Sequence, residues 1–269
     1  MTREIATVAL ANGLTLSYAE QGDRSDPALV LLPGPTDSWW SYEAVLDRMR
    51  ISTRTIAVSQ RGHGDSDKPA TGYRVDDFAA DVVGLLDALH ITRAVLVGHS
   101  GSCLVARRVA IETPERVAGL VLESSPTTFV GEPGPAAFVE SVVSKLADPI
   151  DPELARSFVV DTSGEIAPEL LDEMVRELLK VPARVWHEMF SDLLQYNDLP
   201  ELGDVAAPVL LIWGDRDGLV SREMQEQLVA GFSCADLVVY PGVGHAPRWE
   251  DPVRFATDVT AFAERVLAT

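Results

Sequence analysis

The stretch Ala94-Val95-Leu96-Val97-Gly98-His99-Ser100-Gly101-Ser102 joins an apolar run to a turn of small residues, and a helical pattern follows. The apolar run predicts a strand that is buried on both faces. Small residues on both sides of Ser100 let the strand and the helix approach closely, and such a turn holds the central side chain exposed in a strained conformation. The stretch therefore predicts that Ser100 is a nucleophile and that the Gly101 N–H, at the start of the helix, stabilises an oxyanion.

Apolar runs and helical patterns alternate over the rest of the chain. Ala11-Asn12-Gly13 separates two runs, Glu4–Leu10 and Leu14–Glu20, and Asn-Gly between such runs predicts a β-hairpin. Further strands are predicted at Ala28–Leu32, Arg54–Val58, Ala94–Val97, Val117–Leu122, Val209–Trp213 and Leu237–Tyr240. The alternation predicts an α/β fold with a mainly parallel sheet, covered by helices on both faces, and an antiparallel hairpin at one edge.

Residues 127–202 interrupt this alternation. They contain no convincing strand, and helical patterns occur at Pro135–Leu146, Pro168–Leu179 and Ala183–Leu194. We expect a helical cap inserted after the sixth strand, with residues 1–126 and 203–269 forming the core domain. Because ligands bind at the carboxyl edge of open α/β sheets, we expect this cap to be a lid over that edge. The alternative is a peripheral helical decoration.

The composition excludes several classes of protein. The 269 residues include 22 Lys and Arg against 41 Asp and Glu, a net charge of −19. Such a chain repels phosphate backbones and anionic membrane surfaces, so we expect neither nucleic acid nor membrane partners. A hydrophobic fraction of 46% is that of a globular protein. The length allows one large domain or one domain that carries an insertion.

Cysteine and histidine usage indicates no metal site. Cys103 and Cys234 are too few for a disulfide framework or a zinc cluster, and the histidines show no ligand spacing, so we expect no metal and no cofactor. An acid, Glu4, stands where a signal peptide would be apolar, and no window reaches the roughly 18 apolar residues of a membrane span. These features predict a cytoplasmic protein. Arginine far outnumbers lysine, which favours a bacterial source.

Candidate partners for Ser100 follow two later strands. Gly214-Asp215-Arg216-Asp217 comes after one predicted strand, and Gly244-His245 comes after the next. A serine nucleophile needs a base, and the base needs an acid that orients it. In a strand–turn–helix site these three follow the chain order Ser, Asp, His.

With these motifs, nearly the whole chain resembles the α/β-hydrolase family. The resemblance includes the loop Arg61–Ser66, the acid turn Trp213–Asp217, and His245 with Glu250 and Pro252 behind it. It implies an eight-stranded sheet in which Asp217 is the triad acid and His245 the base. It also implies that His63 stabilises its own loop.

Several side chains near these motifs have other possible roles. Asp215 can shape its own turn, whereas Glu123 follows the strand before the cap, where some members of the family place their acid. His99 is expected to pack away from Ser100, and Cys103 is expected to be a buried thiol.

The chain departs from the family after the third strand. Members commonly have His-Gly-x there, and the N–H of x is the second oxyanion donor, whereas this chain has Pro33-Gly34-Pro35. Pro35 has no N–H to donate. We expect Thr36 to complete the oxyanion hole through its N–H or its hydroxyl. The alternative is that Thr36 only shapes the turn.

The sequence thus predicts a cofactor-free serine hydrolase that cleaves an ester or lactone of a mainly apolar small molecule. Family members with an aspartate at the nucleophile position act on haloalkanes and epoxides, whereas Ser100 favours acyl transfer. Aromatic residues expected to line the substrate pocket, or else to pack in the core, are Trp39, Trp40, Phe129, Trp186 and Phe190. Three alternatives remain open: a carbon–carbon hydrolase, a cofactor-independent dioxygenase, and a non-enzymatic small-molecule receptor. The oligomeric state is not predicted.

Overall fold

The computed structural model describes residues 3–25, 27–49, 53–163 and 166–267. The fold of these residues is built on an eight-stranded sheet. The strands are β1 Glu4–Ala9, β2 Thr15–Gln21, β3 Ala28–Leu32, β4 Arg54–Val58, β5 Ala94–His99, β6 Val117–Glu123, β7 Val209–Gly214 and β8 Ala235–Tyr240. In the sheet they follow the order β1-β2-β4-β3-β5-β6-β7-β8. β2 is antiparallel to both β1 and β4, and the other neighbouring strands are parallel. The predicted mainly parallel eight-stranded sheet is confirmed.

Helices cover both faces of this sheet. They are α1 Glu43–Leu46, α2 Val75–Ala88, α3 Ser102–Glu112, α4 Pro133–Ser141, α5 Pro152–Asp161, α6 Pro168–Leu178, α7 Ala183–Leu193, α8 Arg222–Gly231, α9 Pro247–Glu250 and α10 Pro252–Leu267. Short 3₁₀ turns lie at Trp39–Tyr42, Pro114–Arg116, Val143–Lys145 and Leu199–Asp204.

Two hydrophobic cores lie on opposite faces of the sheet, and they explain why its central strands are apolar throughout. Successive side chains of a strand point to opposite faces. In β3, Leu29 packs in the core formed with α1 and α10, whereas Val30 packs in the core formed with α2 and α3. Val95 and Leu96 of β5 divide in the same way. A strand that is buried on both faces needs apolar residues at every position.

Between β6 and β7 the described residues form helices joined by turns and loops, and they include no strand. α4, α5, α6 and α7 all lie in this insertion, which matches the predicted interruption of the strand–helix alternation. One local prediction was wrong, and one helix was missed. The helix expected at Pro135–Leu146 is α4 followed by a separate 3₁₀ turn, and α5 was not predicted. Its start is nevertheless encoded locally, because the Asp151 side chain accepts a hydrogen bond from the Glu153 N–H and Pro152 occupies the first helical position.

Two acids of α7 attach the insertion to the core of the protein. Glu188 accepts hydrogen bonds from the N–H groups of Gly72 and Tyr73, at 2.8 and 2.9 Å. Asp192 accepts one from the N–H of Val75, the first residue of α2, at 2.8 Å. The first N–H groups of a helix lack partners within the helix. α7 therefore supplies an N-terminal cap for α2 from a distant part of the chain.

Candidate active site

Ser100 lies in the tight turn between β5 and α3. Its φ is +52°, and its N–H donates a hydrogen bond to Glu123 O on the neighbouring strand at 2.9 Å. A Cβ added to Gly98 would approach the N and Cα atoms of Cys103, in α3, to 2.9 Å, so the close crossing of strand and helix requires glycine there. The turn presents Ser100 at the carboxyl edge of the sheet, which is the arrangement of a nucleophile elbow.

His245 and Asp217 form a hydrogen-bonded chain with Ser100. His245 Nε2 lies 3.0 Å from Ser100 Oγ, and His245 Nδ1 lies 2.8 Å from Asp217 Oδ2. The other oxygen of Asp217 accepts hydrogen bonds from the N–H groups of Leu219 and Val220, at 2.8 and 3.0 Å. These bonds fix the carboxylate, which in turn keeps the Nδ1 proton on His245 and leaves Nε2 free to accept the serine proton.

The competing acids lie in other environments. Asp215 Oδ1 accepts a hydrogen bond from the Gly242 N–H at 2.6 Å, so it joins the loops that follow β7 and β8. Glu123 is fully buried, and its Oε1 accepts a hydrogen bond from the Arg248 N–H at 2.8 Å. Asp217 is the acid that hydrogen-bonds to His245 in the structure.

A turn with Pro35 and Thr36 at its centre faces the nucleophile elbow. The Asp37 N–H donates to Gly34 O at 3.1 Å, and Thr36 has a φ of +75°, as in a type II β-turn with proline at its second position. Pro35 lies against Gly101, where an added Cβ would come within 2.8 Å of Pro35 Cγ. Pro35 lines the cavity above Ser100, whereas Thr36 does not. The Thr36 hydroxyl is buried and has no hydrogen-bond partner within the part of the chain that the structure describes.

A cavity of about 520 Å³ opens above Ser100 and His245, both of which line it. Its walls come from the sheet edge, from α4, α5 and α7 of the insertion, and from the loop after Asp217. The apolar side chains that line it are Pro35, Phe129, Pro135, Phe138, Val142, Leu154, Phe158, Val159, Phe190, Leu193, Leu194, Leu219, Val220 and Trp249. No Lys or Arg is among its lining residues as the structure describes them.

The five aromatic residues expected at the pocket divide between wall and core. Phe129 and Phe190 line the cavity. Trp186 does not, because it is fully buried behind the wall, with its ring centroid 4.9 Å from that of Phe158. Trp39 and Trp40 do not line it either. They belong to a 3₁₀ turn, in which Trp39 packs in the core formed with α1 and α10 and Trp40 packs against both cores. Helical spacing did not show which side of each helix faces the cavity.

Asp37 also lines the cavity and belongs to a buried charged cluster with Arg248 and Glu123. Arg248 Nη2 donates to Asp37 Oδ2 at 2.7 Å, and Arg248 Nη1 lies 3.4 Å from Glu123 Oε1. Burial raises the pKa of Asp37 to about 6, although the Arg248 guanidinium opposes this rise. The sequence did not single out Asp37 or Arg248, because neither belongs to a recognisable catalytic pattern and they are far apart in the chain.

His99 is buried, as expected of a packed histidine, and its ring lies beside His245 at the cavity wall. Its Nε2 donates to His245 O at 3.1 Å, and its ring centroid lies 5.0 Å from that of His245. Burial, and then the positive charge of Arg248, lower its pKa well below the ordinary value. His99 is therefore a neutral hydrogen-bond donor that holds the backbone of His245.

The remaining candidates lie away from the cavity. His63 Nδ1 donates to Arg61 O at 2.8 Å within its own loop, and burial lowers its pKa to about 4. Cys103 is buried, which raises the pKa of its thiol to about 12. Among the described residues no group of three or more His, Cys, Asp or Glu side chains is placed to hold a metal ion. No described helix is both long and apolar enough to cross a lipid bilayer.

Comparisons with known proteins agree with this architecture. The model of the alpha/beta hydrolase family matches residues 29–259. A 2-hydroxy-6-oxononadienedioate/2-hydroxy-6-oxononatrienedioate hydrolase from Paraburkholderia phymatum is 34% identical over 261 residues, which cover 90% of this chain and 88% of that protein. Epoxide hydrolase 4 from Mus musculus is 26% identical over 80% of this chain, and the aligned part spans 66% of that longer protein. The crystal structure of an esterase from Rhodococcus sp. ECU1013, RhEst1, has a TM-score of 0.84 and 27% identity, with 97% of this chain and 99% of that chain covered. The chain belongs to the alpha/beta hydrolase family.

Proposed function

We propose that the protein is a serine hydrolase that cleaves a carboxylic ester or lactone of a mainly apolar small molecule through an acyl-enzyme. The observation that carries this proposal is the hydrogen-bonded chain from Asp217 through His245 to Ser100, which ends at the floor of an apolar cavity. A serine activated in this way attacks an acyl carbon. Membership of the alpha/beta hydrolase family supports hydrolysis as the overall reaction.

Each residue of the chain has one role in this mechanism. Ser100 Oγ attacks the carbonyl carbon while His245 Nε2 takes the hydroxyl proton, and Asp217 stabilises the resulting imidazolium. The Gly101 N–H, at the start of α3, donates to the oxyanion. His245 then returns the proton to the leaving alcohol, and it activates a water molecule that releases the acid from Ser100.

The cavity favours an uncharged substrate. Its described lining contains the acids Asp37 and Asp161 but no lysine or arginine. A carboxylate-bearing substrate would lose its hydration in this cavity and find no cation to pair with, which disfavours its binding. The insertion contributes α4, α5 and α7 to the walls, so we propose that it is the lid that selects the substrate.

A carbon–carbon hydrolase is the second candidate. A relative that is 34% identical is named as a 2-hydroxy-6-oxononadienedioate/2-hydroxy-6-oxononatrienedioate hydrolase. The same three residues could serve such a reaction. The substrates in that relative's name are dioates, which carry two carboxylates. The absence of lysine and arginine from the described cavity lining favours a different substrate for this chain.

Two assays with the purified protein test the proposal. A fluorophosphonate probe is expected to label the wild type and not Ser100→Ala, and absence of labelling would exclude an activated serine. Para-nitrophenyl butyrate and mono-para-nitrophenyl succinate have acyl chains of the same length, and only the second carries a carboxylate. We expect kcat/KM to be at least about tenfold higher for the butyrate. Cleavage of a dienedioate without cleavage of any ester would favour the second candidate, and oxygen uptake with a heteroaromatic compound would favour a dioxygenase.

A further inference from the structure

Asp37 is a largely buried acid of the cavity wall that the proposed mechanism does not use. It lines the same cavity as Ser100 and His245, and the turn from Gly34 to Asp37 holds its backbone in place. Its side chain is 12% exposed. A carboxylate at this place is costly unless its oxygens have hydrogen-bond donors.

One oxygen of Asp37 has such a donor, and that donor is rigidly held. Arg248 Nη2 donates to Oδ2 at 2.7 Å. The guanidinium is fully buried, with its central carbon 4.3 Å from the ring centroid of Trp249 and 5.5 Å from that of Tyr42. Its contact with Glu123 restrains it further. Arg248 therefore fixes the orientation of the Asp37 carboxylate.

The other oxygen, Oδ1, receives no hydrogen bond from any residue that the structure describes. Since Arg248 holds Oδ2, Oδ1 is the oxygen left for a molecule in the cavity. An acceptor in this position is satisfied only by water or by a donor on the bound ligand.

We propose that Asp37 Oδ1 accepts a hydrogen bond from a hydroxyl or N–H of the substrate, so that the preferred substrates carry an uncharged donor close to the reactive carbonyl. This inference rests on the proposed function, because it takes the cavity above Ser100 as the substrate site. An uncharged donor suits the site better than an ammonium group, because Arg248 already offsets the charge of the carboxylate and the surrounding walls are apolar.

This role differs from a purely structural one. If Asp37 only neutralised Arg248, its replacement would change stability and leave the ranking of ligands unchanged. If Asp37 binds a donor, a ligand that lacks the donor loses one hydrogen bond to a charged group, which corresponds to about a tenfold to hundredfold loss of affinity.

Binding to Ser100→Ala tests the proposal without any need for turnover. The probes are ethyl phenylpropanoate and its alpha-hydroxy and beta-hydroxy derivatives, and calorimetry measures their Kd. We expect at least one hydroxy ester to bind about tenfold more tightly than the parent ester. The double variant Ser100→Ala/Asp37→Asn should reduce this ratio to within about threefold. With the amide oxygen held by Arg248, its NH₂ group can donate only a neutral hydrogen bond to the hydroxyl oxygen, which is weaker than the bond from a hydroxyl to a carboxylate. Ser100→Ala/Asp161→Asn is the matched control, since it removes another acid of the cavity wall and should keep the ratio.

The outcomes separate this inference from the proposed function. Equal affinity of all three esters for Ser100→Ala would overturn the role of Asp37, even if the wild type hydrolyses esters. A preference that survives Asp37→Asn would overturn it as well. If the double variant does not fold, the affinities of Ser100→Ala for the three esters still show whether the site prefers a hydroxy ester over the parent ester. Absence of ester hydrolysis by the wild type would count against the proposed function alone, because the binding measurements do not depend on it.

Discussion

Arg107, on the helix that follows Ser100, forms a fully buried ion pair with Asp198, near the end of the helical insertion. Arg107 Nε lies 3.0 Å from Asp198 Oδ2. The same guanidinium donates to Pro126 O and Thr127 O, both at 2.8 Å, where the insertion begins. One side chain of α3 therefore contacts both ends of the insertion.

Arg107→Ala is expected to destabilise the protein strongly. It leaves Asp198 buried without a counter-ion, and breaking a buried pair in this way lowers the free energy of unfolding by about 3–5 kcal/mol. Urea denaturation followed by circular dichroism measures this change. Arg222→Ala is the control, because it breaks the exposed pair with Glu226 and should leave the midpoint unchanged. Equal midpoints for the two variants would contradict the anchoring role.

Ser100→Ala should abolish ester turnover and leave the midpoint of thermal unfolding close to that of the wild type. The hydroxyl contributes chemistry at the cavity floor, and alanine fills the same backbone position. His245→Ala should reduce kcat by a similar factor, because the two residues act as a unit. Initial rates with para-nitrophenyl butyrate measure both. Residual activity above about 1% in Ser100→Ala would show that another group is the nucleophile.

Asp217→Asn should lower kcat by about two to four orders of magnitude, because the amide can no longer stabilise the imidazolium and favours the wrong tautomer of His245. Asp215→Asn is the matched control two residues away. It touches the Gly242 N–H and not His245, so its effect should stay below about tenfold. A larger loss in Asp215→Asn than in Asp217→Asn would mean that the acid is misassigned.

Thr36→Val should change kcat by less than about twofold. The Thr36 hydroxyl is buried, has no partner in the described structure and does not line the cavity, so its removal costs no contact with an oxyanion. Valine keeps the branched shape, and loss of an unpaired hydroxyl should raise the free energy of unfolding by about 1 kcal/mol. A tenfold fall in kcat would instead show that the hydroxyl completes the oxyanion hole, as the sequence first suggested.

His63 should make the protein less stable in mild acid. Burial lowers its folded pKa to about 4, whereas in the unfolded chain it has the ordinary value of 6.5. Between these values the unfolded state binds the proton first, so stability falls as the pH decreases from about 7 towards 4. Between pH 7.5 and pH 5 this one group lowers the free energy of unfolding by about 2 kcal/mol.

The variant His63→Asn isolates this contribution. It keeps a side-chain nitrogen that can donate to Arg61 O and removes the titration. Urea midpoints measured over the same pH range should depend less on pH in the variant than in the wild type. Other groups, including His99, are present in both proteins and cancel in the comparison. Parallel pH profiles would show that His63 does not carry the effect.

The order of strands and helices could be predicted from the sequence, because the pattern of apolar residues within a short segment reflects which of its faces are buried. A strand such as β3, with a core on each face, must be apolar at every position, and a turn such as that at Ser100 must be built from small residues. The boundaries within the insertion were harder to predict. α5 begins at a local cap, Asp151, but frequent proline and aspartate obscured this signal.

Sequence alone determined which residues can meet at the edge of the sheet. Parallel strands end at the same edge, so the residues that follow β5, β7 and β8 must lie near one another, and Ser100, Asp217 and His245 do. Tertiary structure alone decided which acid contacts His245, which aromatic rings face the cavity, and that Arg248 reaches Asp37 from across the chain. Those outcomes depend on the direction in which each side chain points after the elements pack, and packing joins residues whose spacing in the sequence carries no information about their contact.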